Sequence, residues 1–142
     1  MKNDGSVTKK IIDQLSYDVI GAAIEVHKNL GPGLLESIYH KCLKEELLLR
    51  GHSVQSELYV RLFYKGKQLE AELRCDLLVD DLLVVEIKAV EAIIPIFEAQ
   101  VLTYMRLLEV PKGLILNFNC VNIFKVGQKT FVNELYRALP DM

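Results

Sequence analysis

Apolar residues recur at helical spacing through the first third of the chain. Between positions 7 and 30, and again between 34 and 50, they return at steps of three and four residues, which predicts two helices. The run Leu30-Gly31-Pro32-Gly33 separates them, because glycine can adopt a left-handed cap and proline cannot continue a helix. Gly51 is the expected C-terminal cap of the second helix.

The hydrophobic period changes to two from Ser53 onward, which is typical of half-buried strands. Predicted strands cover residues 54–64, 71–79 and 82–89, with turns at Lys65-Gly66-Lys67 and Asp80-Asp81. The last strand is almost entirely apolar, as strands buried on both faces usually are. We therefore expect it at the centre of the sheet.

The C-terminal third predicts helices between further strands. Pro95 opens a helix that ends near Val110, followed by strands over 113–118 and 122–126 and a short helix over 131–139. The order α-α-β-β-β-α-β-β predicts an α/β (α+β) fold with a mixed central sheet flanked by helices. Residues 1–142 form a single predicted domain, in which residues 1–6 are expected to be flexible.

Composition narrows the class of protein. The chain is 51% hydrophobic and 25% charged with a net charge of −2, which argues against nucleic-acid binding through bulk electrostatics. An enzyme that holds nucleic acid locally remains compatible, since site carboxylates lower the net charge and a bound metal offsets them. The three cysteines are far apart, which predicts reduced thiols and no zinc site. No apolar leader or membrane-length apolar run is visible, so a cytoplasmic location without membrane contact is expected.

Three charged residues interrupt the apolar strands and indicate a site. Asp76 lies in one predicted strand and Glu86 and Lys88 end the next, where a buried charge is costly unless it is paired or binds a metal. Glu86 and Lys88 share one face of their strand because side chains alternate, while Ile87 faces the other side. Two carboxylates and an ammonium on adjacent strands can hold a hard divalent cation with a water beside it.

The turn between these two strands decides whether the carboxylates meet. A two-residue turn would pair Asp76 with Val85 and place Asp76 and Glu86 on opposite faces. A three-residue connection, or a bulge, would pair Asp76 with Glu86. We predict the latter because a metal site requires it. The alternative is a salt-bridged Glu86–Lys88 pair on an exposed face, with Asp76 in a turn.

Two predicted helices carry polar residues that could join this site. Gln100 and Tyr104 lie four residues apart on one helical face, so the Gln100 amide could point at the sheet end that carries Glu86. Glu36 opens the second helix, with Tyr39 one turn on, and could add a third carboxylate. The alternatives stay open. Gln100 could be solvated, and Tyr104 and Tyr39 could belong to the core. Glu36 could only complement the helix dipole.

Taken together, these residues resemble the GxxExxY family of the PD-(D/E)XK nuclease superfamily. The resemblance spans about residues 17–126. The motifs that carry it occur in this order: Leu30-Gly31-Pro32-Gly33-Leu34-Leu35-Glu36 with Tyr39, then Arg74, Asp76, Glu86-Ile87-Lys88-Ala89 and Glu98-Ala99-Gln100. Cys75 stands where the superfamily's name has Pro, which is not a ligand. The resemblance implies a restriction-endonuclease-like core with a three-stranded antiparallel meander.

The resemblance also implies metal-dependent hydrolysis of phosphodiester bonds. The oxygen ligands of Mg²⁺ or Mn²⁺ would be Asp76, Glu86, Glu36 and the backbone carbonyl of Ile87. Lys88 would position or help to deprotonate the attacking water and offset the charge of the transition state. Sites of two or three carboxylates often bind Mg²⁺ weakly without substrate phosphates.

Other residues are candidates for positioning and for substrate binding. Gln100, the last member of the predicted catalytic set, would orient Lys88, the water or a phosphate oxygen. Tyr104 would stack on a base or brace its helix, and Arg74 and Tyr39 are further substrate-binding candidates. The implied partner is nucleic acid, and DNA is expected rather than RNA.

A second hypothesis keeps the nuclease fold without its activity. The chain would then be a binding or assembly module, which its weak net charge and small size favour. Retention of the acids with Lys88 and Gln100 favours the nuclease, because an inactive site has no reason to keep buried, mutually repelling carboxylates. A third, weaker hypothesis is a structural protein with an incidental Glu86–Lys88 pair.

Exposed apolar, basic and histidine residues carry further expectations. Apolar residues around Pro95 could cover a partner in a homodimer or fold over the core: Ile93, Ile94, Ile96 and Phe97. Most basic residues are expected to be ordinary solvated charges, although any could contact a phosphate: Arg61, Lys65, Lys67, Arg74 and Lys112. His40 and His52 are expected at the surface.

Overall fold

The protein is described by a computed structural model over residues 6–142. The predicted flexible segment, residues 1–6, lies outside the described residues except for Ser6 and stays a prediction. Of the helices within residues 6–142, none is long and apolar enough to cross a membrane.

Two long helices begin the fold, as the apolar spacing predicts. Helix α1 spans Lys9–Leu30 and helix α2 spans Glu36–Leu49. The Thr8 side chain caps α1 by accepting a hydrogen bond from the Ile11 N–H at 3.2 Å. Gly31 ends α1 with a φ of 67°, a conformation that glycine adopts without strain.

The strands form a mixed sheet and a separate hairpin. Five strands pair in the order β1-β4-β5-β6-β7, and β2 pairs only with β3. The pair β5–β6 is parallel and the other neighbours are antiparallel. The strands are β1 Val54–Tyr59, β2 Leu62–Tyr64, β3 Lys67–Leu69, β4 Arg74–Val79, β5 Leu83–Lys88, β6 Lys112–Asn117 and β7 Gln128–Val132. The central position of β5 confirms the prediction from its apolar run.

Three shorter helices complete the chain, and one of them corrects a predicted strand. They are α3 Pro95–Leu108, α4 Ile123–Val126 and α5 Glu134–Arg137. The predicted strand over 122–126 is wrong, because the Asn122 side chain caps α4 by accepting a hydrogen bond from the Lys125 N–H at 3.0 Å. The predicted helix over 131–139 begins only at Glu134, after β7 has ended.

Two apolar cores lie on opposite faces of the five-stranded sheet. Val85 packs with α1 and α2, whereas its neighbour Val84 packs with α3. Helix α3 approaches β6 so closely that a Cβ on Gly113 would lie 2.7 Å from Val101 Cγ1. This mixed α/β architecture, a sheet between helices, is consistent with the predicted restriction-endonuclease-like fold.

The β4–β5 connection has three residues, which confirms the predicted register. Val79 pairs with Leu83, so residues 80–82 form the turn. Within it Asp80 and Asp81 have left-handed φ angles of 53° and 57°, which aspartate tolerates better than most residues.

A histidine ties this turn to helix α1. The Asp80 carboxylate accepts a hydrogen bond from the Ser53 N–H at 2.8 Å and lies 2.7 Å from His52 Nδ1. The other ring nitrogen of His52 is hydrogen-bonded to Asp18 on α1. The turn that sets the register of β4 and β5 is therefore held from two sides.

Strand β4 changes faces at Asp76. Leu77 packs in the core of α1 and α2, but Cys75 packs in the core of α3, although residues two apart on a regular strand share a face. Glu57, which stands opposite Asp76 in the β1–β4 register, has a left-handed φ of 50°. The regular pleat therefore breaks at the predicted metal ligand.

Candidate active site

Two carboxylates occupy the point where strands β4 and β5 stop pairing. The last pair of the ladder is Leu77 with Val85, and the next residues along are Asp76 and Glu86. Asp76 Oδ2 accepts a hydrogen bond from the Ile87 N–H at 2.8 Å. Glu86 Oε2 accepts one from the Asp76 N–H, also at 2.8 Å. The two side chains thus replace the backbone bonds that a continuing ladder would have made.

The second oxygen of each carboxylate remains available to a ligand. Neither Asp76 Oδ1 nor Glu86 Oε1 accepts a hydrogen bond within residues 6–142. No buried side-chain nitrogen or oxygen in that part of the chain lacks a partner, so both oxygens reach solvent. Carboxylate oxygens in this position are the ligands that Mg²⁺ and Mn²⁺ prefer.

In the free protein both carboxylates have a pKa above that of an ordinary carboxyl group. Burial, above all, raises the pKa of Glu86, and the Asp76 carboxylate raises it further. Burial also raises the pKa of Asp76, although the Ile87 N–H and the charges of His40 and Lys88 oppose that rise. A bound cation would remove this penalty, because it stabilises the ionised form of both groups.

Glu36 reaches the same site from the first residue of α2. Partial burial raises its pKa, the charge of Lys88 lowers it and that of Asp76 raises it. The backbone N–H of Ala89 also lowers the Glu36 pKa through a hydrogen bond. The third predicted carboxylate therefore lies within electrostatic reach of the other site residues.

Tyr39 braces the loop that presents Glu36. Its side chain is fully buried and stacks on Phe118, with ring centroids 4.6 Å apart. Its hydroxyl donates to the Gly31 carbonyl at 2.6 Å and accepts from the Leu34 N–H at 3.1 Å. A fully buried side chain offers no surface to a substrate, so this placement supports the core alternative rather than substrate contact for Tyr39.

Lys88 faces helix α3 with its amine over an aromatic ring. The Lys88 Nζ lies 4.3 Å from the centroid of Phe97. Among the residues described, Lys88 forms no salt bridge. Glu86 is buried and Asp76 lies in β4 rather than in a turn, so the alternative of an exposed Glu86–Lys88 ion pair is wrong.

Helix α3 brings Tyr104 to the carboxylates and leaves Gln100 exposed. Burial raises the pKa of Tyr104, and the nearby carboxylates of Glu86 and Asp76 raise it further. Gln100 is exposed, and its side chain makes no hydrogen bond in the described part of the chain. It follows Phe97 by three residues and so lies about one turn from the ring that holds Lys88.

Arg74 lies at the rim of the site and is engaged with strand β1. Its guanidinium donates a hydrogen bond to the Tyr59 hydroxyl and lies 4.6 Å from the centroid of that ring. It also approaches Glu57 to 3.7 Å. The side chain remains half-exposed, so Arg74 is oriented by β1 without being sealed from solvent.

Sequence reasoning missed His40 as a neighbour of the site. His40 follows Glu36 by four residues on α2, is half-buried, and has Nε2 at 2.8 Å from Ser56 Oγ. Its charge lowers the pKa of both Asp76 and Glu36. His40 keeps part of its surface exposed but lies beside the site, and the signal for that placement was its four-residue spacing from Glu36.

The donors fit an open divalent-metal site rather than a closed cage. Within residues 6–142 no group of three or more His, Cys, Asp or Glu side chains is assembled around one point. Mg²⁺ is usually bound by one or two carboxylates together with waters and substrate phosphates. Asp76 and Glu86 supply two such carboxylates.

The fold and the carboxylate pair together define a class of protein. A mixed sheet flanked by helices, with two acids and a lysine where central strands separate, is typical of nucleases with a restriction-endonuclease-like core. The family model of the PD-(D/E)XK nuclease superfamily matches residues 13–131, and the chain belongs to that superfamily. Its members generally use divalent metals. No curated protein and no solved structure matches the chain.

Proposed function

We propose that this chain is a metal-dependent nuclease of the GxxExxY group that hydrolyses phosphodiester bonds in nucleic acid, and we expect the substrate to be DNA rather than RNA. One observation carries the proposal: Asp76 and Glu86 meet where β4 and β5 separate, and each keeps one oxygen toward solvent. Lys88 shares a face of β5 with Glu86, and no carboxylate of residues 6–142 forms a salt bridge with its ammonium.

The residues present would hold Mg²⁺ or Mn²⁺ through Asp76 and Glu86. The backbone carbonyl of Ile87 and the carboxylate of Glu36 are the further candidate ligands. The metal, when bound, supplies Lewis-acid charge and lowers the pKa of a water molecule.

The chain's other residues would act on the water and the phosphate. The Lys88 ammonium would donate hydrogen bonds to the attacking water or to a non-bridging phosphate oxygen, where negative charge grows in the transition state. Gln100, about one turn from Phe97, would orient the same groups by its amide. His40 would partly oppose the effect of burial on Asp76, since its charge favours the ionised carboxylate. In the reaction the water would lose one proton to solvent, its oxygen would bond to phosphorus as the bond to the leaving oxygen breaks, and the leaving oxygen would take up a proton from solvent.

The test is cleavage of labelled single- and double-stranded DNA and RNA with Mg²⁺ or Mn²⁺. Wild type should cleave at least one substrate, and Lys88→Ala and Asp76→Asn should each lose cleavage. Lys125→Ala, which removes an exposed lysine on α4, is the matched control and should cleave like wild type. A folded wild type that cleaves none of the four substrates with either metal contradicts the proposal.

A second candidate function, a non-catalytic binding or assembly module, is favoured by the hydrogen bonds of the acids. Because Asp76 and Glu86 each satisfy a backbone N–H, they have a structural reason to be present without any catalysis. Titration with Mn²⁺ followed by calorimetry separates the two candidates. Absence of both heat and cleavage supports the module. Association of two copies and a cytoplasmic location stay predictions.

A further inference from the structure

The β2–β3 hairpin stands at the same end of the sheet as the carboxylate site. It connects the end of β1 to the start of β4, where Tyr59 pairs with Arg74. Asp76 follows Arg74 by two residues, which is about 7 Å along a strand. The hairpin pairs with no strand of the main sheet in the described chain. Whatever binds at the carboxylates therefore passes close to the base of this hairpin.

The hairpin is basic within a chain of negative net charge. Residues 58–69 contain three basic residues and no acidic one, while the whole chain has a net charge of −2. Acidic residues resume only at Glu70 and Glu72, after β3. The three basic residues are Arg61, Lys65 and Lys67. A local positive arm of this kind attracts phosphate groups.

The same segment exposes three aromatic rings. Tyr59 is 59% exposed, Phe63 56% and Tyr64 60%. Exposed apolar side chains that are clustered, rather than scattered singly, are typical of an interaction surface. Lys65 Nζ lies 5.5 Å from the Tyr64 ring centroid, so charge and ring already stand together at the tip.

One face of the hairpin forms an open groove against helix α3. The groove has a volume of about 350 Å³ and is lined by rings, aliphatic side chains and one guanidinium: Leu58, Tyr59, Arg61, Phe63, Leu107 and Leu108. The Tyr59 ring is fixed by Arg74, whose guanidinium lies 4.6 Å from its centroid. A flat apolar group bearing a phosphate suits this combination of apolar walls and positive charge.

We propose that this hairpin binds single-stranded nucleic acid next to the bond to be cleaved. Phe63 and Tyr64 stack on unpaired bases, and Arg61, Lys65 and Lys67 contact backbone phosphates. A single strand is favoured over a duplex because only unpaired bases offer free faces for stacking, whereas a duplex presents mainly phosphates to such an arm. This inference rests on the proposed function, since it names the substrate class of that site.

The test measures binding without cleavage. Full-length Lys88→Ala in buffer with chelator is titrated against a labelled 15-nucleotide single strand and the duplex of the same sequence, by fluorescence anisotropy. In this Lys88→Ala parent, the further substitutions Phe63→Ala and Tyr64→Ala together should weaken single-strand binding at least about 10-fold. They should change duplex binding less than about 2-fold. Phe63→Tyr, which keeps the ring, should bind like the parent.

A second pair of substitutions tests the phosphate contacts. Lys65→Gln with Lys67→Gln should reduce the slope of log affinity against log salt by about 1.4 for the single strand. The matched control is Phe124→Ala with Lys125→Gln on α4, where the phenylalanine is 53% exposed and should contribute nothing.

Each contrary result is distinct from failure of the proposed function. Absence of single-strand binding, equal weakening of single strand and duplex by ring removal, or equal weakening by the α4 control overturns the hairpin inference. A wild type that cleaves while its hairpin variants bind unchanged overturns only the inference. Hairpin-dependent binding by a wild type that never cleaves supports the inference and contradicts the nuclease.

Discussion

Removal of the His52 imidazole should destabilise the protein in a pH-dependent way. His52 joins Asp18 on α1 to Asp80 in the turn that sets the β4–β5 register. Burial lowers the pKa of His52, but the hydrogen bonds and charges of the two aspartates outweigh it and raise the pKa above its ordinary value. The imidazolium is therefore the form that the folded protein stabilises.

The expected loss of stability follows from how exposed the two aspartates bonded to His52 are. A hydrogen bond to a charged group is worth about 1.5–3 kcal/mol when it is protected from solvent. The Asp18 and Asp80 side chains are 37% and 32% exposed, so screening reduces each bond to about 0.5–1 kcal/mol. The sum of about 1–2 kcal/mol corresponds to about 3–6 °C in Tm for 142 residues.

The sign of the pH dependence is fixed by the raised pKa. The stabilisation is fully present below the ordinary histidine pKa of about 6.5 and is lost as the pH rises through the higher pKa of the folded state. Hydrogen bonds to His52 and Arg50 outweigh burial and lower the Asp18 pKa, so the charged pair persists down to acidic pH. The largest effect is expected near pH 5.5.

Thermal melts of wild type, His52→Gln, Asp18→Asn and the double variant, at pH 5.5 and 8.5, provide the assay. His52→Gln should lower Tm by about 3–6 °C at pH 5.5 and by less than half of that at pH 8.5. The losses from the two single variants should add to more than the loss in the double variant, because both break the His52–Asp18 hydrogen bond. Equal losses at both pH values, or additive losses, would refute the reasoning.

Two further substitutions test the packing and the site. Asp76→Ala should be less stable than Asp76→Asn by about 1–3 kcal/mol in chemical denaturation, because it leaves the Ile87 N–H without its 2.8 Å partner; equal stability of the two contradicts this role. Gly113→Ala should lower the free energy of unfolding by about 1–3 kcal/mol, since its Cβ would lie 2.7 Å from Val101 Cγ1, and an unchanged midpoint would count against that close packing.

Long periodic segments of this chain could be predicted from sequence, and short ones could not. Helices α1 and α2 and the central strand β5 follow directly from apolar spacing. The four-residue helix α4 depends on the Asn122 side-chain cap, a local bond that outweighs an apolar pattern too short to decide. The separation of β2 from the main sheet depends on tertiary packing, and a hydrophobic period of two does not show which strands will pair.

The candidate site was partly predictable for the same reason. Turn arithmetic left two registers open, and the expectation of a metal site selected the three-residue connection that brings Asp76 and Glu86 together, as the structure confirms. The environment of His40 did not follow, because its contact with Ser56 joins α2 to β1 across 16 positions of sequence. The bracing role of Tyr39 likewise depends on stacking against the distant Phe118.

Because the side chains of β4 change faces at Asp76, the proposed metal site lies at the boundary between the two apolar cores. Cys75 on one side of Asp76 packs in the core of α3, and Leu77 on the other side packs in the core of α1 and α2. Loosening of either core would twist Asp76 about the axis of its strand and shift its oxygens relative to Glu86. Cleavage would then decline with temperature before the secondary structure melts, and a rate measurement would sense core defects that a spectroscopic melt reports only later.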